Sequence, residues 1–248
     1  MEAGPRAAEH PEVAGALSHL AQGLGMVVSV IVPVLNEAAS LPELLPELQK
    51  LRTQGAQVLL VDGGSQDGTV ALAEQAGFRV ILAARGRAMQ MNEGAAQAKG
   101  DVLLFLHADT RLPVGALKLV QARLSRQQVW GRFDVCIEGR PRMLRVVAVL
   151  MNLRSRLTGL ATGDHALFMT REAFDRAGGF PALPLMEDIE MSRRLKRLSP
   201  PVCLLAKVTT SGRRWETRGV WRTIFLMWRL RWAYWRGVPA SELVQAYR

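Results

Sequence analysis

Cysteine is scarce, with Cys136 and Cys203 the only two in 248 residues. They form no C-x-x-C pair and show no zinc-ligand spacing, which excludes a disulfide framework and a cysteine-based metal centre. Both fall in strand-like runs and are expected to be buried, inert thiols of a reduced cytoplasmic compartment. Long apolar runs are missing as well. No window of about 18 uninterrupted apolar residues occurs, so a membrane-spanning helix is not expected. The first residues are acidic, carry two prolines and lack a basic stretch before an apolar block, so they are not expected to act as a secretory signal or transit peptide. Residues 1–25 read as a loose extension. No G-x-G-x-x-G follows a strand, so a dinucleotide-binding dehydrogenase is disfavoured. Internal repeats and low-complexity tracts are also absent.

What is present suits one large α/β domain. Hydrophobic residues make up 49% of the chain and charged residues 22%. The formal charge of +10 calls for anionic company or a solvated basic surface. Nucleotides and acidic lipid headgroups are the expected anions; nucleic acid is not, because the aromatic residues gather in one helix rather than along a basic groove. From Val27 strands alternate with helices, the pattern of a largely parallel sheet. Strands are expected at Val27–Val34, Gln57–Val61, Arg79–Ala83 and Val102–Leu106, the last continuously apolar and therefore central. Ser40-x-x-Glu43 has the form of a capping box for a leucine-striped helix that Pro46 would kink. Met89 and Met91 are expected on the packing side of a helix that follows Gly86. Phe133, Val135 and Ile137 alternate with Asp134, Cys136 and Glu138, which suits a strand with one wetter face.

Polar residues collect where the expected strands end. Asn36 and Glu37 follow the first, Asp62 closes the second, and His107-Ala108-Asp109 follows the central one. An open α/β sheet binds ligands at such an edge. Asp62 can accept hydrogen bonds from a base or ribose, and Gly63-Gly64 lets a backbone approach. Asp67 and Thr69 suit turn and N-cap roles. Asp109 can hold a divalent ion, with His107 a further ligand candidate. Arg85 and Arg87, at a helix N-terminus, suit phosphate. Glu187 and Asp188 open another helix, where Asp188 can act as a general base.

Taken in order, VSVIVPVLNE, VLLVDGGSQDGT, FLHADT, GDHALF and MEDIEMSRRL resemble a family 2 glycosyltransferase of the GT-A fold over about Val27 to Leu198. RGRAMQMNEGA and SGRRWETRG are similar to a short subgroup labelled as arsenosugar-biosynthesis or carotenoid-type transferases. The resemblance implies that Pro33, Asn36, Glu37 and Asp62 hold the nucleoside of a UDP- or GDP-sugar. It implies that Asp109, closing a D-x-D element whose first position here is His107, binds Mg²⁺ or Mn²⁺. Asp188 would deprotonate the acceptor, whose identity stays open between a small molecule and a lipid, and Asp164, His165 and Glu187 would lie on the acceptor side. The Q-x-x-R-W of polymer synthases is absent; Arg213-Arg214-Trp215 is a partial echo. An NDP-sugar nucleotidyltransferase is disfavoured, since its Gly-rich loop with a following Arg and Pro-Lys is missing. The alternative from another class is a catalytically degenerate domain that binds nucleotide or a membrane surface.

Residues 26–212 are thus expected to form the transferase domain and 213–248 a basic helical tail. Five of the six tryptophans lie between Trp215 and Trp235. On a helix, Arg222, Arg229 and Arg236 share a stripe, with Trp221, Phe225, Trp228, Trp232 and Trp235 around the remaining surface. Two readings fit: an interfacial helix giving peripheral membrane contact, or one packed on the domain with snorkelling arginines.

Overall fold

The computed structural model describes residues 25–247, so nearly all of the expected N-terminal extension lies outside the described residues. Eight strands form one sheet: β1 (Val28–Val34), β2 (Gln57–Asp62), β3 (Val80–Leu82), β4 (Val102–Phe105), β5 (Thr110–Arg111), β6 (Trp130–Glu138), β7 (Phe168–Thr170) and β8 (Val202–Ser211). Their order is β3-β2-β1-β4-β7-β6-β8-β5. The first four are mutually parallel. β7 runs antiparallel to both β4 and β6, β8 is parallel to β6, and β5 is antiparallel to β8.

The helices are α1 (Leu41–Thr53), α2 (Thr69–Gln75), α3 (Arg87–Gln97), α4 (Ala116–Arg123), α5 (Met143–Thr158), α6 (Arg171–Ala177), α7 (Glu187–Lys196), α8 (Arg213–Arg218), α9 (Val220–Trp235) and α10 (Ala240–Tyr247). Alternation along the strands sorts the core into two layers. Val28, Val30, Val32 and Val34 join Leu60 and Leu104 under α1, whereas Ile31 joins Val61, Leu103 and Phe105 under α3 and α6. Each such fully buried aliphatic side chain contributes about 1.5–3 kcal/mol.

The chain leaves β1 outward to β2 and β3, then returns to β4 on the other side of β1. Successive connections therefore diverge beyond the C-terminal ends of β1, β2 and β4, where a crevice opens. Gly94 sets how closely α3 approaches these strands. A Cβ there would lie 2.9 Å from Val61 Cγ2 and nearer still to Ile31 Cγ2.

Several local expectations are corrected. Ser40 makes no N-cap bond; its hydroxyl instead donates to Glu37 Oε2 at 2.8 Å. A reciprocal cap joins Thr162 and His165, around the 3₁₀ turn Gly163–His165. Helix α1 continues through Pro46, because Pro42 and Pro46 are both exposed and water can satisfy the carbonyl that Pro46 leaves unpaired. Met91 is buried in α3, but Met89 is 42% exposed. Asp134 is buried on β6 because Arg132, itself without exposed surface, and Arg156 on α5 both pair with it. Cys136 is exposed rather than buried, at the end of β6 that projects beyond this cover.

Replacing Gly94 with valine should destabilise the protein by about 1–3 kcal/mol through overpacking. A denaturant midpoint indistinguishable from wild type would contradict the close α3–sheet contact.

Candidate active site

The crevice loops are built by short-range bonding between strand ends. Asp62, 1% exposed, accepts from Gly64 N at 2.8 Å and Ser65 N at 2.9 Å, and also from the Ser65 hydroxyl. Asn36 adopts a left-handed φ of 54°. Its Oδ1 accepts from Gln66 N at 2.8 Å, and its own N–H donates to Ser65 Oγ at 2.9 Å. Glu37 N donates to Thr69 Oγ1 at 2.8 Å, and Asp67 accepts from Ala38 N and Thr69 N. The turn role expected of Asp67 is therefore filled, but Thr69 is the first residue of α2 behind the cap Gly68 and caps nothing; together they lace the loop after β1 to the loop after β2. Pro33 is half-buried on β1.

Behind these loops lies Gln90, which sequence reasoning missed. Its Nε2 donates to Val34 O at 2.7 Å and Val61 O at 2.8 Å, tying the ends of β1 and β2. Gly63 passes so close that a Cβ would sit 2.9 Å from the Gln90 amide carbon. One polar residue amid the apolar spacing of α3 was the available signal.

The second half of the site forms around Arg87 at the start of α3. Its Nη1 lies 3.4 Å from Glu187 Oε1. Burial opposes its charge, but Glu187, Asp188, Asp164 and Asp109 together raise its pKa above the ordinary guanidinium value. Glu187 alone pairs with Arg87, whose side chain stays 43% exposed, while the other three carboxylates act on it through their charge. Arg85, by contrast, is exposed and has no hydrogen bond or ion pair among the described residues.

Met186 takes a left-handed φ of 68° to turn the chain into α7. Asp188 then accepts from Gly163 N at 2.8 Å and from Ile189 N at 2.7 Å. Glu187 is 3% exposed, and burial followed by the Asp188 charge raises its pKa, with Arg87 opposing. His107 Nδ1 lies 3.4 Å from Asp164 Oδ1. Burial works against the Asp164 carboxylate, yet the hydrogen bond and charge of His107, with His165 and Arg87, hold its pKa below the usual range. Arg87, His107, Gly163, Glu187 and Asp188 line one small enclosed cavity.

Asp109 is half-buried, and its carboxylate meets Thr110 Oγ1 at 3.3 Å. It borders a wider cleft of about 340 Å³ lined also by Ser40, Arg111, Glu138 and Arg213. Arg213 lies 3.9 Å from Glu37 Oε2, so the tail reaches the loop after β1.

His165 does not reach the crevice surface. It is fully buried, with Nδ1 2.9 Å from Thr162 Oγ1 and accepting weakly from Thr162 N at 3.4 Å. Burial first, then the charges of Arg132 and Arg154, push its pKa down to about 3. It holds the turn that carries Gly163 and Asp164, rather than facing a ligand.

Comparison with known proteins agrees with this arrangement. The family model described as Glycosyl transferase family 2 matches residues 29–177, more than half of the chain. The chain belongs to this family. A curated relative from Pseudomonas fluorescens (strain Pf0-1), an undecaprenyl-phosphate 4-deoxy-4-formamido-L-arabinose transferase, is 31% identical over 159 residues, covering 57% of this chain and 45% of the relative. A protein of the same name from Aeromonas hydrophila is 35% identical over 117 residues, covering 42% and 36%. The chain thus spans less than half the length of either. Among solved structures, a Pyrobaculum calidifontis mannosyltransferase in complex with GDP-Man and Mn²⁺ has a TM-score of 0.60 at 20% identity, over 89% of this chain and 69% of that one. TarS of S. aureus in complex with UDP-GlcNAc has a TM-score of 0.60 at 21% identity, over 75% and 58%. The fold of this glycosyltransferase is GT-A.

Because His165 is neutral when folded and ordinarily titrates near 6.5, the unfolded chain binds the extra proton between those two values. Stability should therefore be full above about pH 6.5 and fall on acidification toward about pH 3, by up to about 1.4 kcal/mol per pH unit. Denaturant titrations of wild type and H165N should show this acid slope reduced in the variant; equal slopes would contradict the assignment.

Proposed function

We propose that this glycosyltransferase moves a sugar from a UDP- or GDP-linked donor to an acceptor oxygen, with inversion and with Mg²⁺ or Mn²⁺. The observation that carries the reading is the cavity in which Arg87 meets Glu187 and Asp188 beside His107 and Gly163, with Asn36, Asp62 and Asp109 at the ends of β1, β2 and β4. In this reading Pro33, Asn36, Glu37 and Asp62 receive the nucleoside. Arg87 faces the diphosphate, and Arg85 is free to swing toward it from the surface.

Asp188 is the base. Each of its oxygens accepts one backbone N–H, which fixes the carboxylate yet leaves lone pairs for the acceptor's proton. As the acceptor oxygen bonds to the anomeric carbon, the bond to the diphosphate breaks and its electron pair leaves with the nucleoside diphosphate. Glu187 holds Arg87 toward this centre. Asp164, paired with His107, lies on the acceptor side with the turn that His165 supports.

The residues present fit a hard cation held mainly by substrate. Among the described residues no group of three or more His, Cys, Asp or Glu side chains could hold a metal ion. Asp109 would supply one carboxylate, leaving the remaining positions to diphosphate oxygens and water. His107 fits less well, because Nδ1 faces Asp164 and Nε2 is buried against Gly163. When bound, the cation offsets negative charge on the departing diphosphate.

Among the described residues no helix is long and apolar enough to cross a membrane. Peripheral contact is a separate matter. On α9, Trp221, Phe225, Trp228, Trp232 and Trp235 are all more than half exposed, and Arg222, Arg229 and Arg236 lie among them. This surface supports docking of the 213–248 tail, as a unit appended to the transferase domain, on an anionic bilayer facing the cytoplasm.

D188N should lower kcat by about 10²–10⁴-fold while donor binding persists. Retained turnover would point to a different base, whereas a wild type without turnover on any UDP- or GDP-sugar would favour the degenerate-domain reading. D109A should abolish the metal dependence of UDP- or GDP-sugar binding seen by calorimetry; metal-independent binding in wild type would remove the cation from the scheme. Replacing Trp228 and Trp232 with alanine should reduce co-sedimentation with phosphatidylglycerol vesicles, and unchanged sedimentation would argue against docking through α9.

A further inference from the structure

Arginine 154 has no role in the scheme above. It lies on α5, and its Nε and Nη2 are buried with no hydrogen-bond partner. A guanidinium carries five donors in a planar fork, and burying them unpaired is costly. Arg231, half-buried on α9, likewise has no hydrogen bond or ion pair among the described residues. Burial first, then the positive charges of Arg231 and Arg132, push the Arg154 pKa down to about 10. Two partly buried cations with donors left over, the charge of one acting on the other, can receive an anion.

Packing places this pair beside the reaction centre. Leu230, next to Arg231, is 1% exposed in one apolar cluster with Met186 and Ile189, the residues that bracket Glu187 and Asp188. Val220 and Ile224 of α9 pack against the cluster that contains Leu144, Val147 and Ala148 of α5. The negative charges of Asp188 and Asp164 act on both guanidinium groups, yet neither carboxylate forms an ion pair with them.

We infer that Arg154 and Arg231 form a subsite for a phosphate group on the acceptor, a proposal that rests on the glycosyl-transfer reading. Phosphate matches the guanidinium fork through paired, charge-assisted hydrogen bonds, and its two negative charges answer the two cations. Arg87 pairs with Glu187 and is assigned to the donor diphosphate, so Arg154 and Arg231 can serve the acceptor side. The phosphate could arrive as a lipid headgroup or on a soluble ester. Next to the arginines, Leu150, Leu153 and Leu157 of α5 and Trp228, Trp232 and Trp235 of α9 are exposed and apolar, which gives a hydrocarbon tail a surface to follow.

The test is calorimetry on the whole protein saturated with nucleoside diphosphate and Mn²⁺, so that the donor side is filled. Farnesyl phosphate, farnesol and glycerol 3-phosphate are titrated into wild type, R154Q, R231Q and, as a surface control on α4, K118Q. Farnesyl phosphate should bind more tightly than farnesol, and R154Q and R231Q should each weaken it about 10-fold or more, with K118Q unchanged. Equal, Arg154-dependent binding of glycerol 3-phosphate assigns a soluble ester, whereas binding of farnesyl phosphate alone assigns a lipid. R154Q should keep or raise the melting temperature, since it removes a desolvated charge that no protein group satisfies. A lower melting temperature with unchanged phosphate affinity would overturn the inference, as would farnesol binding as tightly as its phosphate, or no phosphate binding at all. If wild type binds no nucleotide-sugar, the transfer reading fails, and the same titrations without nucleotide still score the phosphate site through R154Q.

Discussion

One amide holds the crevice open in a defined shape. Gln90 Nε2 bonds the carbonyls of Val34 and Val61 where the ladder between β1 and β2 runs out. Val34 O also accepts from Gly63 N at 3.0 Å, so at that strand end the amide adds a second bond, and a helix packed behind the sheet can supply it only from a side chain. The loops carrying Asn36 and Asp62 hang from those two residues. Their own lacing, Asn36 with Gln66 and Glu37 with Thr69, depends on the strand ends keeping this spacing. Gly63 and Gly94 serve the same geometry by letting the Gln90 amide and the α3 backbone come close.

The rest of the site is a balance of charge in restricted solvent. Glu187, Asp188, Asp164 and Asp109 would repel one another without Arg87 among them. His107 and Asp164 share part of the burden. Arg132 shows how a buried guanidinium is normally accommodated: Asp134, Phe133 O and Asn152 O all accept from it. Arg154, one face away, has no comparable set of acceptors, and that contrast separates a structural arginine from one available to a ligand.

Much of the sheet could be read along the chain. Runs of Val, Leu and Ile at residues 30–32, 58–61 and 102–104 announced buried parallel strands, and the polar residues just beyond them announced the crevice. Glu187-Asp188 was legible because a Gly- and Pro-rich loop precedes a helical pattern. Local signals failed where a distant partner decided the outcome. Asp134 alternates like an exposed residue but is covered by Arg132 and Arg156. Ser40 has the cap motif but finds Glu37 nearer, and Cys136 sits on a strand end that nothing covers. The role of His165 was misjudged because burial is not a property of its neighbours in sequence.

By itself the sequence determined the order of elements, the positions of the strand ends and the residue types offered there, since periodicity and turn chemistry are local. Tertiary structure alone decided that Gln90 bridges two strands, that Arg87 pairs with Glu187 a hundred residues away, and that the helices bearing Arg154 and Arg231 each pack on the domain that carries α7. Those pairings span tens of residues, and the packing of helices on both faces of the sheet sets the distances and the local dielectric on which their energies depend.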